Sequence, residues 1–427
     1  MLTKLAKLKQ NTAKLYKLLV AGEYSKIANA LKLRADRLIR GKNSTKRTDM
    51  ELHERELSRV LRKYFDCDNT YQPGTTKIAL ILRGGSMMPQ SSTFIRLVAP
   101  LTHPSVHDEI SLKLYPENTA DIDEATDICI VQRTAFDNTL AAKKLVKKLR
   151  HSGIKLVLDT DDAFSMLENS HSQYREQAGR IKGLKRILEH ADQLWVSTPI
   201  LAGVYGNRDN HFVVRNTLDG RLWQRQKNGA KQHMLVNSKR PLQLVCMGTA
   251  THDDDLEMIM PALEEVAEKY PGSFELTLIG VTDGMVGKPW LKRVRQPKFG
   301  AMYPNFVQWF LKQGPFDAGL SPLRDIEFNR SKSDIKCLDY LAAGIVPLVS
   351  DVTPYQSEDL DSYITKVANE HDEWVRQLTE WVTDAREFRR QKKETIRHAQ
   401  RHIWQNRSSQ QTAEKLRENI SSLLESK

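Results

Sequence analysis

The chain has 427 residues, 40% hydrophobic and 28% charged, with a formal charge of +12, a length that fits two α/β domains plus extras, with two sizeable cores. Its four cysteines, Cys67, Cys129, Cys246 and Cys337, lie far apart and form no CxxC pair, which argues against a disulfide framework or a zinc ribbon and points to a reducing, cytoplasmic compartment. No apolar run has the length needed to cross a bilayer, and the start MLTKLAKLKQ lacks the apolar centre of a signal peptide.

The positive charge sits at one end. Residues 1–64 hold 17 Lys and Arg against 6 acids, nearly all of the excess. Leu5, Leu8, Leu15, Leu18 and Leu19 recur near helical spacing with lysines between them. Such a basic amphipathic helix can lie on an anionic membrane face, which makes a membrane surface the candidate partner of residues 1–40. A helical hairpin packed on the body with a solvated basic face is the competing assignment. Nucleic acid is not expected, because no zinc finger, RRM signature or aromatic-interleaved basic patch is present. Residues 1–75 are read as this extension, with GKNSTKRTD around Gly41 as a linker.

From residue 76 to 223 the pattern becomes alternating strands and helices. KIALILRGG reads as a buried strand ending in Gly84 and Gly85, and SSTFIRLVAPL as a helix capped by Ser91 or Ser92. The glycine pair lets backbone approach a ligand closely, although it is not GxGxxG. TDICIVQR is the next strand and leaves Gln132 and Arg133 at its C-terminal end, where open α/β sheets bind ligands. Arg96 and Arg133 are candidates for acceptor or donor phosphate, with a structural ion pair as the alternative for each. IKLVLD then delivers Asp159, Asp161 and Asp162 to the same edge in DTDDAF. A metal-holding DxD, a phosphatase nucleophile at Asp159 and a structural acidic loop all compete here. The phosphatase pattern wants Thr or Val where Ala163 stands. DQLWVSTPIL and HFVVRNTLDGRLW continue the rhythm, and the polar stretch 224–240 reads as a hinge.

The second domain spans 241–385. LQLVCMGTATHDDDLEMIMPALEEV predicts a strand ending at Gly248, then Thr249 as cap or phosphate contact, then a helix started by Asp253, Asp254 and Asp255. His252 stands in the connecting loop, where it can donate to a phosphate or satisfy the backbone. FELTLIG is a strand, and YPNFVQWF a helix whose Phe306 and Trp309 read as core. In FDAGLSPLRDIEFNRSKSDIKCLDYLAAGIVPLVSDVTPY, Ser331 and Asp334 form a capping box that predicts a helix from Lys332 to Ala343, stopped by Gly344 and followed by a buried strand, Ile345 to Val349. Lys332, Lys336 and Asp339 then share one helical stripe. A helix N-terminus with two lysines favours a diphosphate, and Asp339 can accept from a sugar's vicinal hydroxyls. A capped surface helix with a Lys–Asp ion pair is the plainer alternative. Residues 386–427 read as C-terminal helices without sustained heptads.

FNRSKSDIKCLDYLAAGIVPLVSD resembles the donor-site segment of the retaining glycosyltransferases of family 4. The FN, KS and K that precede an acidic–Tyr pair are similar to those of a subgroup from bacterial polysaccharide assembly. The resemblance implies the α/β GT-B fold, two Rossmann-like domains facing a cleft, with C-terminal helices that cross back. In that family two glutamates eight positions apart bracket the segment; Asp339 matches the second, and Ser331 stands at the first. The better-known members carry Arg and Lys after the glycine matching Gly248. Here Arg324, Lys332 and Lys336 are expected to take that charge, beside Gly248, Thr249, Asn329 and His252. The DD loop is implied to face the cleft without metal, with Asp161 or Asp162 touching acceptor hydroxyls or acting on the transferred proton. Asn216 and Asp219 match the family's passage out of the first domain. The implied activity is transfer of a sugar from a nucleotide-sugar co-substrate, with no bound cofactor, to a glycan or lipid-linked acceptor in cell-surface polysaccharide synthesis, on or near the inner membrane face. A nucleotide-sugar epimerase and a non-catalytic GT-B assembly partner are the alternatives.

Overall fold

The computed structural model describes residues 50–84, 87–166, 174–206, 209–224, 240–248, 253–280, 287–297 and 302–426. The basic helices expected before residue 50, Gly85, Thr249, His252 and most of the expected 224–240 hinge lie outside the described residues. Two compact units divide the chain, Met1–Glu56 and Leu57–Lys427. In the first, residues 50–56 are helical.

The second unit holds two six-stranded parallel sheets. In the first sheet, β1 (Thr76–Ile81), β2 (Ile110–Tyr115), β3 (Ile128–Gln132), β4 (Lys155–Thr160), β5 (Gln193–Val196) and β6 (His211–Val213) take the order β2-β1-β3-β4-β5-β6. In the second, β7 (Leu242–Met247), β8 (Phe274–Ile279), β9 (Leu291–Val294), β10 (Ala318–Ser321), β11 (Val346–Ser350) and β12 (Thr365–Val367) take the order β12-β11-β10-β7-β8-β9. Central strands such as ICIVQ and VPLVS are buried at every residue, because helices cover both faces of a parallel sheet and no face is left for polar side chains. The helix Thr139–Ser152 shows how the sequence sets such a layer. Ala142, Leu145, Val146 and Leu149 form its buried stripe, the Asn138 side chain caps its start at 2.9 Å from Ala141 N, and Gly153 ends it at φ 68°.

Strand order reverses between β1 and β3 in the first sheet and between β7 and β10 in the second. At such switch points adjacent connections leave toward opposite faces and open a crevice beyond the carboxyl ends of the strands. Gly84 and Arg133 follow β1 and β3; Gly248 and Arg324 follow β7 and β10. These four of the candidate residues therefore follow the strands that flank the two switch points.

The C-terminal helices bind the domains together. Ala385–Asn406 packs on the second domain, where Arg389 pairs with Asp317 at 3.1 Å and Lys392 donates to Phe316 O at 2.6 Å. The chain then crosses back: Leu218 N donates to Arg407 O (2.9 Å), Ser409 N donates to Leu218 O (2.8 Å), and Ser409–Glu425 lies against the helical stretch 91–101 of the first domain. At the other end, Leu57, Val60, Leu61, Tyr64 and Phe65 are buried within the same unit. Phe65 stacks on Phe94, and the Tyr64 hydroxyl donates to Asn305 at 3.1 Å.

Candidate functional site

The organising helix starts later than its capping box predicts. Ser331 does not cap it: its Oγ donates to Phe328 O at 3.0 Å and closes a short helix, Glu327–Arg330. The second helix is Ile335–Ala342, with Asp334 at its N-cap. Asp334 spends its carboxylate on Arg407, 2.7 and 2.9 Å away, and makes no side-chain capping bond. A distant guanidinium has outcompeted the local amides, since a bidentate Arg–carboxylate pair is stronger than a cap. Lys332 therefore lies in the turn ahead of the helix, over the Phe328 ring at 5.2 Å, and the expected single stripe of Lys332, Lys336 and Asp339 is replaced by two segments.

Asp339 is 7% exposed and accepts a hydrogen bond from the Tyr303 hydroxyl at 2.8 Å. Burial raises its pKa to about 7, with Tyr303 and Lys336 acting in the opposite direction. Lys336, half-buried one turn earlier, is pushed down to about 8, again by burial, with the Lys332 charge adding to the shift. Tyr340 beside Asp339 is structural. Its ring presses on Gly319, where a Cβ would come within 2.6 Å, and its hydroxyl accepts from Met247 N and donates to Leu320 O, each at 3.1 Å. Tyr303 was legible only as part of an aromatic helix; nothing in its local pattern marks it as the partner of Asp339. Asn329 and Arg324 are braced by the acids that start Asp253–Lys269: Asn329 Nδ2 donates to Arg324 O (2.9 Å) and reaches Asp255 (3.4 Å), while Arg324 pairs with Asp254 at 2.6 Å.

On the first domain, Arg96 and Asp159 are both wholly buried and paired at 2.5 Å. Arg96 also donates to Val214 O and Asn216 Oδ1. This is a structural ion pair: Arg96 does not line the cleft, and Asp159 is not an accessible nucleophile. The two following acids differ. Arg133, held at φ 50°, sends Nε to within 3.0 Å of Asp161 and Nη2 to Asp162, and packs over Phe164 at 4.7 Å. The acids and Arg133 are 15–22% exposed, so the cluster is partly open. Burial raises the Asp162 pKa; Asp161 adds to the rise, and Arg133 and Lys332 oppose it. Gly84 sits where a Cβ would come within 2.1 Å of Met88 O, so the position has no room for a side chain.

The domains meet at the segment 331–333. Thr198, whose side chain caps Pro199–Val204, donates to Ser331 O at 3.0 Å, and Asn216 Nδ2 donates to Ser333 Oγ at 2.7 Å. A cavity of about 330 Å³ opens there, walled by Thr198 and Arg215 of the first domain and by Lys332, Ser333 and Gln356 of the second. Of the residues expected at the site, Lys332 lines this cavity, whereas Asp162, Lys336 and Asp339 are not among its walls and Arg96 is buried in the first domain. Thr198 was not foreseen; its N-cap role before Pro199 was its only local signal. Among the described residues there is no group of three or more His, Cys, Asp or Glu that could hold a metal ion, and no helix long and apolar enough to cross a membrane.

No family model and no curated protein matches the sequence. Among solved structures, the chain is similar to Anabaena Alr3699/HepE in complex with UDP and glucose, at 12% identity over 81% of this chain and 100% of that one, with a TM-score of 0.54. It is also similar to the trehalose-6-phosphate synthase OtsA (15% identity, 70% and 73% covered, TM-score 0.47) and to UDP-GlcNAc 2-epimerase from Neisseria meningitidis bound to UDP-GlcNAc (11%, 81% and 100%, 0.47). Two Rossmann-like domains with parallel sheets facing a cleft, joined by helices that cross back, give this chain the GT-B fold.

Proposed function

We propose that this chain is a glycosyltransferase that moves a sugar from a nucleoside-diphosphate sugar to a glycan or lipid-linked acceptor, with retention and without metal, in cell-surface polysaccharide synthesis. The observation that carries the proposal is the cavity of about 330 Å³ between the domains, walled by Thr198 and Arg215 of the first and by Lys332 and Ser333 of the second. Lys332 and Lys336 would stabilise the nucleoside diphosphate as the sugar–phosphate C–O bond breaks, and Asp162 would receive the proton as the acceptor oxygen bonds to the sugar. Asp339, with Tyr303 behind it, would face the ribose hydroxyls. HepE was crystallised with UDP and UDP-glucose, which makes UDP the first nucleotide to try. The basic residues 1–40 would hold the enzyme at an anionic membrane face.

Release of nucleotide from a panel of nucleotide-sugars in the presence of membrane lipid extract tests this. Acceptor-dependent release is the expected result. Tight nucleotide binding with no turnover on any donor would point instead to a non-catalytic assembly partner.

A further inference from the structure

Beyond the basic residues 1–64 the chain is balanced, with 48 Lys and Arg against 47 Asp and Glu over residues 65–427. Within this body the two signs are separated. The helix Thr139–Ser152 carries five Lys and Arg and no acid, and Tyr174–Leu188 carries five and one. The two pack side by side on one face of the first sheet, with Ala142, Leu145, Leu184 and Ile187 in the same apolar core, and Arg150 Nη2 reaches His190 Nδ1 at 2.8 Å across their ends. Lys143, Lys144, Lys147, Lys182 and Lys185 are exposed, and none of the five forms an ion pair among the described residues. Glu189, the acid that follows the second helix, is taken by Arg186 at 3.0 Å.

Apolar side chains accompany this charge at one end. Leu140, 64% exposed, stands in the first turn of Thr139–Ser152 on the stripe of Lys143, Lys144 and Lys147. Ile200, 46% exposed, stands in the first turn of Pro199–Val204, whose Leu201 and Ala202 join the same core. These helices follow β3 and β5, so both side chains lie at the carboxyl edge of the sheet, where the interdomain cavity opens beside Ile200. The second domain carries the opposite sign. Its adjacent helices Asp253–Lys269 and His371–Thr383 hold ten acids against two Lys and Arg, with Glu257, Glu265, Glu268, Asp372 and Glu380 exposed. A lysine near an anionic bilayer strengthens binding about fivefold, whereas carboxylates are repelled. None of the exposed large apolar side chains among the described residues is aromatic, so a nucleic acid would find no stacking platform on this face.

We propose that the outer face of Thr139–Ser152 and Tyr174–Leu188 docks on an anionic lipid surface, with the lysines on the headgroups and Leu140 and Ile200 dipping between them. The first domain makes the contact, and the acidic layer of the second keeps that domain off the lipid. A lipid-linked acceptor then meets the cleft at the edge marked by Leu140 and Ile200. The inference rests on the membrane-peripheral part of the proposed function and gives it a surface separate from residues 1–40.

The test is co-sedimentation of the full chain with vesicles of phosphatidylglycerol and phosphatidylcholine at low ionic strength, in wild type and in the combined variant Lys143→Glu, Lys147→Glu, Lys182→Glu, Lys185→Glu. The variant is expected to bind about a hundredfold more weakly or worse, with its melting temperature and UDP affinity unchanged. A fluorophore on Leu140→Cys is expected to shift to the blue when vesicles are added, and one on Glu257→Cys is not. The proposal is overturned if wild type and variant bind the vesicles equally well, which would leave membrane contact to residues 1–40, or if the two fluorophores respond alike. Loss of duplex DNA binding in the variant with vesicle binding intact would overturn it in favour of nucleic acid. A wild type that ignores the vesicles would sink the membrane reading together with this face, and the UDP titrations would still decide the glycosyltransferase assignment.

Discussion

Arg407 and Asp334 form a bidentate ion pair, 2.7 and 2.9 Å, in which both side chains are at most 7% exposed. It ties the residue that heads the helix Ile335–Ala342 to the point where the C-terminal helices cross back. Breaking a buried pair from one side leaves a charge without compensation, at a typical cost of about 3–5 kcal/mol. Arg407→Met is expected to lower unfolding stability by that order in urea. Combining it with Asp334→Asn should recover part of the loss, because the stranded carboxylate is gone. Strictly additive losses would show that the two residues act independently.

The pair Arg96–Asp159 makes a similar demand inside the first domain. Asp159→Asn keeps the shape but removes the charge opposite a wholly buried guanidinium, so a loss of about 3–5 kcal/mol in unfolding stability is expected. An unchanged midpoint in chemical denaturation would contradict the structural role.

Asp339 should make stability depend on pH. Its pKa of about 7 in the folded chain lies above the roughly 3.9 of a free aspartate. The folded state therefore retains a proton that the unfolded chain has released. The resulting stabilisation is full below about pH 4 and is lost as pH rises through about 7. Asp339→Asn removes that loss while preserving an acceptor for Tyr303. Its effect relative to wild type should shift in favour of the variant by about 1–3 kcal/mol between pH 4 and pH 8, as read by urea unfolding at each pH. A difference that does not change with pH would mean that Asp339 does not titrate in this range.

The boundary of the body lies at Leu57. Leu57, Leu61 and Phe65 are each at most 3% exposed within the second unit, and truncating one buried Leu or Phe typically costs about 2–5 kcal/mol. Deleting residues 1–56 should leave a cooperatively folding body, whereas deleting 1–65 should lower its melting temperature sharply or prevent folding. Equal melting curves for the two truncations would contradict this.

The fold was legible where burial is complete and obscure where it is partial. Runs such as KIALIL, ICIVQ and VPLVS are apolar throughout because both faces of a parallel sheet are covered. The strands not foreseen, β2, β9 and β12, are all sheet edges. LKRV and TKV place lysine and arginine among their apolar residues, as edges do to resist further pairing, and that erases the pattern. In the site, Lys332, Lys336 and Asp339 could be gathered from one continuous stretch. The helix start could not be read correctly, because its decisive partner, Arg407, lies 73 residues away from Asp334. Tyr303 and Thr198 escaped for the same reason: each acts on a residue distant in sequence.

The central claim is that Lys332 and Asp339 hold opposite ends of a nucleotide, and calorimetric titration with UDP and with uridine tests it most directly. A hydrogen bond to a charged group is worth about 1.5–3 kcal/mol, so losing one should weaken binding roughly ten- to a hundredfold. Lys332→Ala is expected to weaken UDP binding by that factor and leave uridine nearly unchanged, since its proposed partner is phosphate. Asp339→Ala is expected to weaken both, since its proposed partner is ribose. Equal affinities for UDP across wild type and both variants would contradict the claim and move the donor site to another part of the cleft.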